Sequence, residues 1–187
     1  MPNEVLQKVG TQLVFADHAG DFGPVAANDL RQGTPTTVQA AVASLADGAA
    51  WQSAKFDFGA TRAAQFSLTA AIEFAATPTA GDTVQIYLAP SSDSVAANSN
   101  PGGVSGSSSA YAGYSSNLAA SVAQLQQIGI FICTAQITGT VQIAFVSIFS
   151  APERYGTLII KNESNAAFHS DDVETHFVIT PIIDEVQ

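Results

Sequence analysis

The chain has 187 residues, with six basic and sixteen acidic side chains and a formal net charge of −10. Charged residues make up 12% of it, about half of the ~25% that is usual, while hydrophobic residues are an ordinary 47%. The basic residues are scattered, so no basic stripe is present to neutralise phosphates, and we expect no nucleic-acid partner and no membrane partner. The shortage of charge fits a surface that neighbours partly cover, because interface cores are depleted in charge.

The length fits one domain over residues 1–187, and a chain of this size can fold without disulfides. Cys133 lies in an apolar run and is interpreted as a buried small hydrophobe, not as a nucleophile. The first residues, Met-Pro-Asn-Glu, do not read as a signal peptide, so we expect synthesis in a cytoplasm.

Strand signals dominate the chain after residues 1–10, which are weakly patterned and could form an N-terminal arm that reaches a neighbour. Alternation of apolar and polar residues with a period of two indicates strands in a packed sheet. Every second residue from Phe66 to Phe74, for example, is apolar. The predicted strands are, in chain order, residues 12–16, 36–40, 51–58, 65–74, 83–89, 128–134, 140–149, 157–161 and 174–183.

Residues 140–149 are apolar on both alternating faces, which predicts a strand that is buried on both sides. Helix signals are few: residues 117–128, with Asn117 as N-cap, are the best and residues 40–45 are weaker. Residues 90–117 form a long, almost uncharged segment rich in Ser and Gly, and loops of this length are usually functional or flexible. The sequence therefore predicts an all-β, two-sheet sandwich or jelly roll with one short helix and a long Ser/Gly-rich loop.

Acidic and histidine side chains cluster near the C-terminus. Carboxylates and imidazoles grouped in this way could hold a divalent cation. Their spacing matches no known ligand pattern, so we interpret them as a turn followed by a solvated strand face, and predict no metal and no cofactor. Acidic residues around His18 are likewise interpreted as a loop. The C-terminal cluster consists of His169, Asp171, Asp172, Glu174 and His176.

No catalytic motif is recognisable: the chain lacks a correctly spaced Gly-x-Ser-x-Gly elbow, a Walker loop and a dinucleotide fingerprint. We therefore predict that the protein is not an enzyme. Interface candidates are Tyr111 and Tyr114, which could pin the long loop to a surface, and the pair Arg154 and Tyr155, because Tyr and Arg are enriched at interfaces. An ordinary strand start explains Arg154 and Tyr155 equally well.

Four stretches together carry a resemblance to a known group of proteins. They are Gly-Asp-Thr-Val-Gln-Ile-Tyr-Leu-Ala-Pro at residues 81–90, Asn-Pro-Gly-Gly at 100–103, Arg-Tyr-Gly-Thr-Leu at 154–158 and the last ten residues, 178–187. Over roughly residues 50–187 the chain resembles small virion structural proteins encoded in tailed bacteriophages and prophages. The resemblance implies a β-sandwich displayed on, or built into, a virion. It carries no functional residues over, because the likeness includes no defined site.

Within that group the leading expectation is a capsid decoration, or cement, protein that stabilises the head by protein–protein contacts. The resemblance implies partners that are copies of the chain itself, with a trimer favoured, and other virion proteins such as the major capsid protein. It also implies localisation in the virion after synthesis in the host bacterial cytoplasm. The alternative is a tail or adsorption protein, either a fibre adaptor or a host-glycan binding module using Trp51, Tyr111 and Tyr114, although Trp51 is better interpreted as a core residue.

Overall fold

The computed structural model describes residues 5–17, 22–60, 62–171 and 173–186, with the backbone alone at 5–7 and 185–186. No helix in these ranges is long and apolar enough to cross a membrane. The elements are β1 (Val5–Val9), β2 (Leu13–Ala16), β3 (Thr36–Gln39), β4 (Ala50–Gln52), β5 (Phe56–Asp57), β6 (Gln65–Ile72), β7 (Thr83–Ser91), β8 (Ser109–Ala110), α1 (Leu118–Val122), β9 (Gln126–Ile132), β10 (Gln142–Phe149), β11 (Tyr155–Glu163) and β12 (His176–Val186).

The strands form two six-stranded sheets. Sheet A has the order β10-β6-β12-β2-β3, and β1 also pairs with β12. Sheet B has the order β8-β4-β11-β7-β9, and β5 also pairs with β11. All pairings are antiparallel except β2 with β3. The two sheets pack face to face, so the prediction of an all-β sandwich is confirmed.

The core between the sheets is built from the inward faces of the strands. On β6 the apolar residues of the period-two pattern, such as Phe66 and Leu68, are fully buried. Phenylalanine rings form a continuous row through the core, in which Phe56 contacts Phe15 and Phe58 with ring centroids 4.8 Å apart. Edge-to-face packing of this kind adds to the stabilisation that burial of each ring provides. Cys133 is buried in the same core, as predicted.

Two predicted elements are wrong, one in its extent and one in its type. The strand predicted over residues 51–58 is divided into β4 and β5, because the backbone amides of Ala54 and Lys55 leave the sheet and donate to the carbonyls of Gln39 and Gly106. The segment 40–45 is not helical: Ser44 has a φ of 55°, and its amide donates to the carbonyl of His169.

The helix predicted over residues 117–128 is present only as α1, with the Asn117 side chain accepting from the Ala120 amide as the expected cap. It stops because the apolar residues of this segment face two different cores. Val122 and Leu125 pack on the outer face of sheet B, whereas Ile128 enters the core between the sheets. A continuous helix would place these side chains on one side, so the chain changes to strand β9 instead.

The long segment 90–117 packs over the outer face of sheet B. Its residues Val104 and Tyr111 form a second apolar cluster with Val122 and Leu125 from α1 and the following turn, on top of Tyr87, Ala89 and Ile159 of the sheet. The segment also contributes the short strand β8, which pairs with β4. The predicted loop is therefore a packed layer of the fold.

Residues 22–32, called the strap below, cover part of the outer face of sheet A. Phe22 and Leu30 of the strap pack on Val14, Ala16 and Val178. At the N-terminus, residues 5–9 of the predicted arm form β1, which pairs with the end of β12 in the same chain. His18, Asp172 and residues 1–4 lie outside the described residues.

A candidate interface on strands β9 and β10

Strand β10 lies at the end of sheet A and exposes a row of large apolar side chains. Ile143, Phe145 and Ile148 point away from the core, with 47%, 64% and 54% of their surface exposed. A β-bulge between Phe145 and Ser147 keeps Ile148 on the same face as the other two, since the register against β6 shifts there by one residue. The bulge therefore aligns the three side chains in one outward row.

The prediction that residues 140–149 are buried on both sides is wrong for the single chain. Gln142 and Phe149 on the inner face are buried, but the outer face stays open to solvent. The reason lies in the reach of the strap, which packs on β2 and β12 and does not extend to β10. Residues 140–149 thus have two apolar faces, but one of these faces is exposed to solvent in the isolated chain.

Strand β9 lies beside β10 where the two sheets meet, and Ile132 of β9 lines the same groove as Ile143 of β10. Ser147 on β10 donates to the carbonyl of Ile128 on β9, and the Gln142 side chain makes two hydrogen bonds of 2.8 Å to the backbone of Thr134. Among the described residues, six of the ten exposed large hydrophobic side chains lie on these strands and their connection. They are Ile130, Ile132, Ile137, Ile143, Phe145 and Ile148, called the apolar edge below.

A polar groove lies next to the β10 row. The neighbours of the row on β6 are Ser67 and Thr69, which line this groove of about 340 Å³ between β6 and the strap. The charged residues in that groove, Asp29 and Arg31, pair with each other at 2.8 Å. Single exposed hydrophobic residues are normal on any protein, but a cluster of them with polar residues around it is typical of a protein interaction site.

The predicted interface residues Tyr111 and Tyr114 are placed very differently. Tyr111 is buried, and its hydroxyl donates to the carbonyl of Gly102 at 2.6 Å. Tyr114, three positions further along, is 55% exposed and is available for contact. Trp51 is half-buried against the main core, with its indole NH donating to the Ser108 hydroxyl at 3.1 Å.

Arg154 and Tyr155 lie at the start of β11, where the arginine has partners within the chain. Its guanidinium forms an ion pair with Asp57 at 2.7 Å and lies over the Tyr155 ring, 5.0 Å from the centroid. The hydrogen bonds from Arg154 hold the pKa of Asp57 below its ordinary value. Arg154 thus links the start of β11 to β5 through its ion pair with Asp57. Neither Arg154 nor Tyr155 is part of the apolar edge.

The cluster near the C-terminus is divided between two sets of partners. The Glu174 carboxylate accepts from the Val25 amide at 2.5 Å and from the Asn28 side chain at 2.9 Å, so it holds the strap. His176 accepts from the Leu30 amide at 3.1 Å and holds the strap as well. The interpretation of this segment as a solvated strand face is wrong for His176, because the strap covers the side chain and buries it fully.

His169 has other partners, with its Nδ1 lying 3.1 Å from the Asp171 carbonyl and 4.0 Å from the Glu73 carboxylate. Asp172, the remaining member of the cluster, is outside the described residues. Over the ranges that the structure describes, no group of three or more His, Cys, Asp or Glu side chains is arranged to bind a metal ion.

Comparison of the chain with protein-family models, with curated protein sequences and with solved structures finds no match. In the sequence, alternation placed Ile143 and Phe145 on one apolar face of residues 140–149 and Ile148 on the other, and only the bulge between Phe145 and Ser147 brings the three together. The alternation also does not tell whether the same chain or another molecule covers such a face.

Proposed function

We propose that this protein is a structural subunit of a bacteriophage particle, a head decoration or cement protein, that acts by burying its apolar edge against a neighbouring copy of itself. The proposal of self-assembly is based on the row Ile143, Phe145 and Ile148. Each of these side chains is about half exposed or more, although the opposite face of the same strand is buried in the core. The resemblance over roughly residues 50–187 supports the assignment to a phage particle.

The absence of charge in the apolar edge permits a second copy as its occupant. A chain with a net charge of −10 repels its copies over most of its surface, and this repulsion weakens where both sides are uncharged. The apolar edge consists of isoleucine and phenylalanine alone, and covering each such side chain contributes on the order of 1–2 kcal/mol. A stable contact needs ~800 Å² from each partner, and symmetric repetition closes such contacts into a dimer or a ring. The trimer that the resemblance implies is the expected assembly.

The experiment is a measurement of mass in solution by sedimentation or light scattering. The wild-type protein should be an oligomer, and Phe145→Ser should shift it toward monomer without loss of fold, because the ring is 64% exposed. Val25→Ser is the matched control, since Val25 is 60% exposed on the strap and lies outside the apolar edge. A monomeric wild-type protein, or an oligomer indifferent to Phe145→Ser, would contradict the assembly.

The phage setting has its own test. Particles assembled without this protein should lose resistance to heat or osmotic shock, and they should regain it when the wild-type protein, but not Phe145→Ser, is added back. Unchanged particle stability would contradict the role of a cement protein while leaving self-assembly intact.

The alternative, a tail or adsorption protein that binds host glycans, depends on exposed aromatic rings. Of its three candidates, Tyr111 is buried and Trp51 packs against the core, which leaves Tyr114 as the exposed ring. A glycan array on which Tyr114→Ala abolishes binding would favour this alternative over the decoration protein.

A further inference from the structure

Three polar side chains of sheet A and its flanks hold the backbone of the strap. The Gln12 side-chain oxygen accepts from the Gln32 amide at 2.6 Å. The Glu174 carboxylate accepts from the Val25 amide at 2.5 Å, and His176 Nε2 accepts from the Leu30 amide at 3.1 Å. The strap has no regular secondary structure of its own, so these side chains supply partners that a sheet would otherwise provide.

Of these three anchors, His176 requires one protonation state. The side chain is fully buried, and its Nδ1 lies 3.0 Å from the Glu174 carbonyl oxygen. A carbonyl only accepts, so Nδ1 carries the proton and Nε2 presents a lone pair to the Leu30 amide. A second proton, on Nε2, would turn this acceptor into a donor that faces another donor, and would bury a charge.

The charged groups around His176 come from the strap and from its own strand. Asp29 and Arg31 on the strap pair with each other, and the oxygens of Glu174 are taken by Val25 and Asn28. The Phe22 ring packs edge-on against the imidazole with centroids 5.1 Å apart. Burial lowers the pKa of His176 below its ordinary value of 6.5, against the weaker opposing effects of the Glu174 carbonyl and of the Asp29 and Glu174 charges.

We propose that the strap is a pH-sensitive cover, which neutral His176 holds on sheet A and which protonated His176 releases. Opening of the strap uncovers Val14, Ala16 and Val178, which lie on the same outer face of sheet A as the β10 row. Acid conditions would therefore extend the apolar surface of this face. The inference is independent of the assembly proposed above, because it concerns a contact within one chain.

The direction of the pH effect follows from proton linkage. The open state binds the proton near the ordinary pKa of 6.5, whereas the closed state binds it only at lower pH. The stabilisation of the closed strap is therefore complete above this value and decreases as the pH falls below it. The carboxyl groups of Asp29 and Asp57 titrate below 3.8 and do not contribute in this window.

The experiment is amide hydrogen exchange of residues 22–32, corrected for intrinsic rates, at about pH 7.5 and about pH 5. In the wild-type protein the protection of the strap should fall about tenfold at the lower pH, while β6 stays protected. In His176→Gln the strap should show no such pH dependence, because a carboxamide oxygen can accept from Leu30 at both values. His169→Gln is the matched control and should behave like the wild-type protein.

A second variant keeps the test decisive if His176→Gln fails to fold. His176→Phe retains a ring of similar size without the acceptor, so the strap should exchange rapidly at both pH values while β6 remains protected. Equal strap protection of the wild-type protein at both pH values would overturn the proposal, and so would an unchanged pH dependence in His176→Gln. Neither result depends on whether the protein is a monomer or an oligomer.

Discussion

The ammonium of Lys55 lies 2.7 Å from the carbonyl oxygen of Asn98, a residue 43 positions further along the chain. The same ammonium donates to the carbonyls of Asp93 and Val95 and to the Ser91 hydroxyl, at 2.8 to 3.0 Å. The Lys55 ammonium thus binds several oxygens from the beginning of the long segment 90–117. Its burial lowers the pKa of Lys55, although these oxygens remain well placed for the charged form.

Replacement of Lys55 by methionine should loosen residues 91–98 and lower the free energy of unfolding by about 1–2 kcal/mol, because several carbonyl groups lose a charged donor. Urea unfolding and limited proteolysis of this segment would measure the two effects. Arg62→Met is the control, since Arg62 donates to one exposed carbonyl, that of Pro152. Equal stability of Lys55→Met and Arg62→Met would show that the lysine is not an anchor.

Gly129 of β9 lies close against β10. A Cβ atom at this position would lie 2.5 Å from Val146 Cγ1 and 3.2 Å from Leu68 Cδ2, which is too close for either neighbour to stay in place. Gly129→Ala should therefore cost about 1–3 kcal/mol of stability through overpacking. Gly23→Ala is the matched control, because nothing lies within 4 Å of its Cβ position. Thermal unfolding compares the variants, and equal midpoints would refute the close packing of the two strands.

The thiol of Cys133 should be almost unreactive in the native protein. Burial raises its pKa to about 11, and the residue is enclosed in the main core. Because the thiolate is the reactive form, a disulfide reagent at about pH 8 should modify the native protein at least ~100-fold more slowly than the urea-unfolded chain. Rapid modification without denaturant would mean that the β9 end of the core opens readily.

Acid should destabilise the protein partly through Asp57. Its hydrogen bonds from Arg154 lower its pKa below 3.8, so its contribution is present above this value and is lost as the pH falls through the depressed pKa. The side chain is 40% exposed, and solvent screening keeps the contribution small. Urea unfolding between about pH 5 and pH 2 should give a flatter pH dependence for Asp57→Asn than for Asp184→Asn, an exposed carboxylate elsewhere. Identical slopes would contradict the role of the ion pair.

Local patterns were sufficient for much of the fold. The alternation from Phe66 to Phe74 correctly indicated β6 and its buried face, and Asn117 correctly indicated the start of α1. Both signals depend on residues close in sequence, through the strand repeat and the cap geometry. The signals failed where distant partners decided the outcome, as at Ile128, whose burial between the sheets ended the helix early.

The candidate site shows the same division. The sequence by itself determined that residues 140–149 form a strand with two apolar faces, that charge is scarce, and that no catalytic motif is recognisable. Only the tertiary structure decided that the strap covers β2 and β12 but leaves Ile143, Phe145 and Ile148 exposed, and that Tyr111 is buried. The physical reason is that alternation records which side chains are apolar, whereas exposure depends on segments that are remote in sequence and on how far they reach across the sheet.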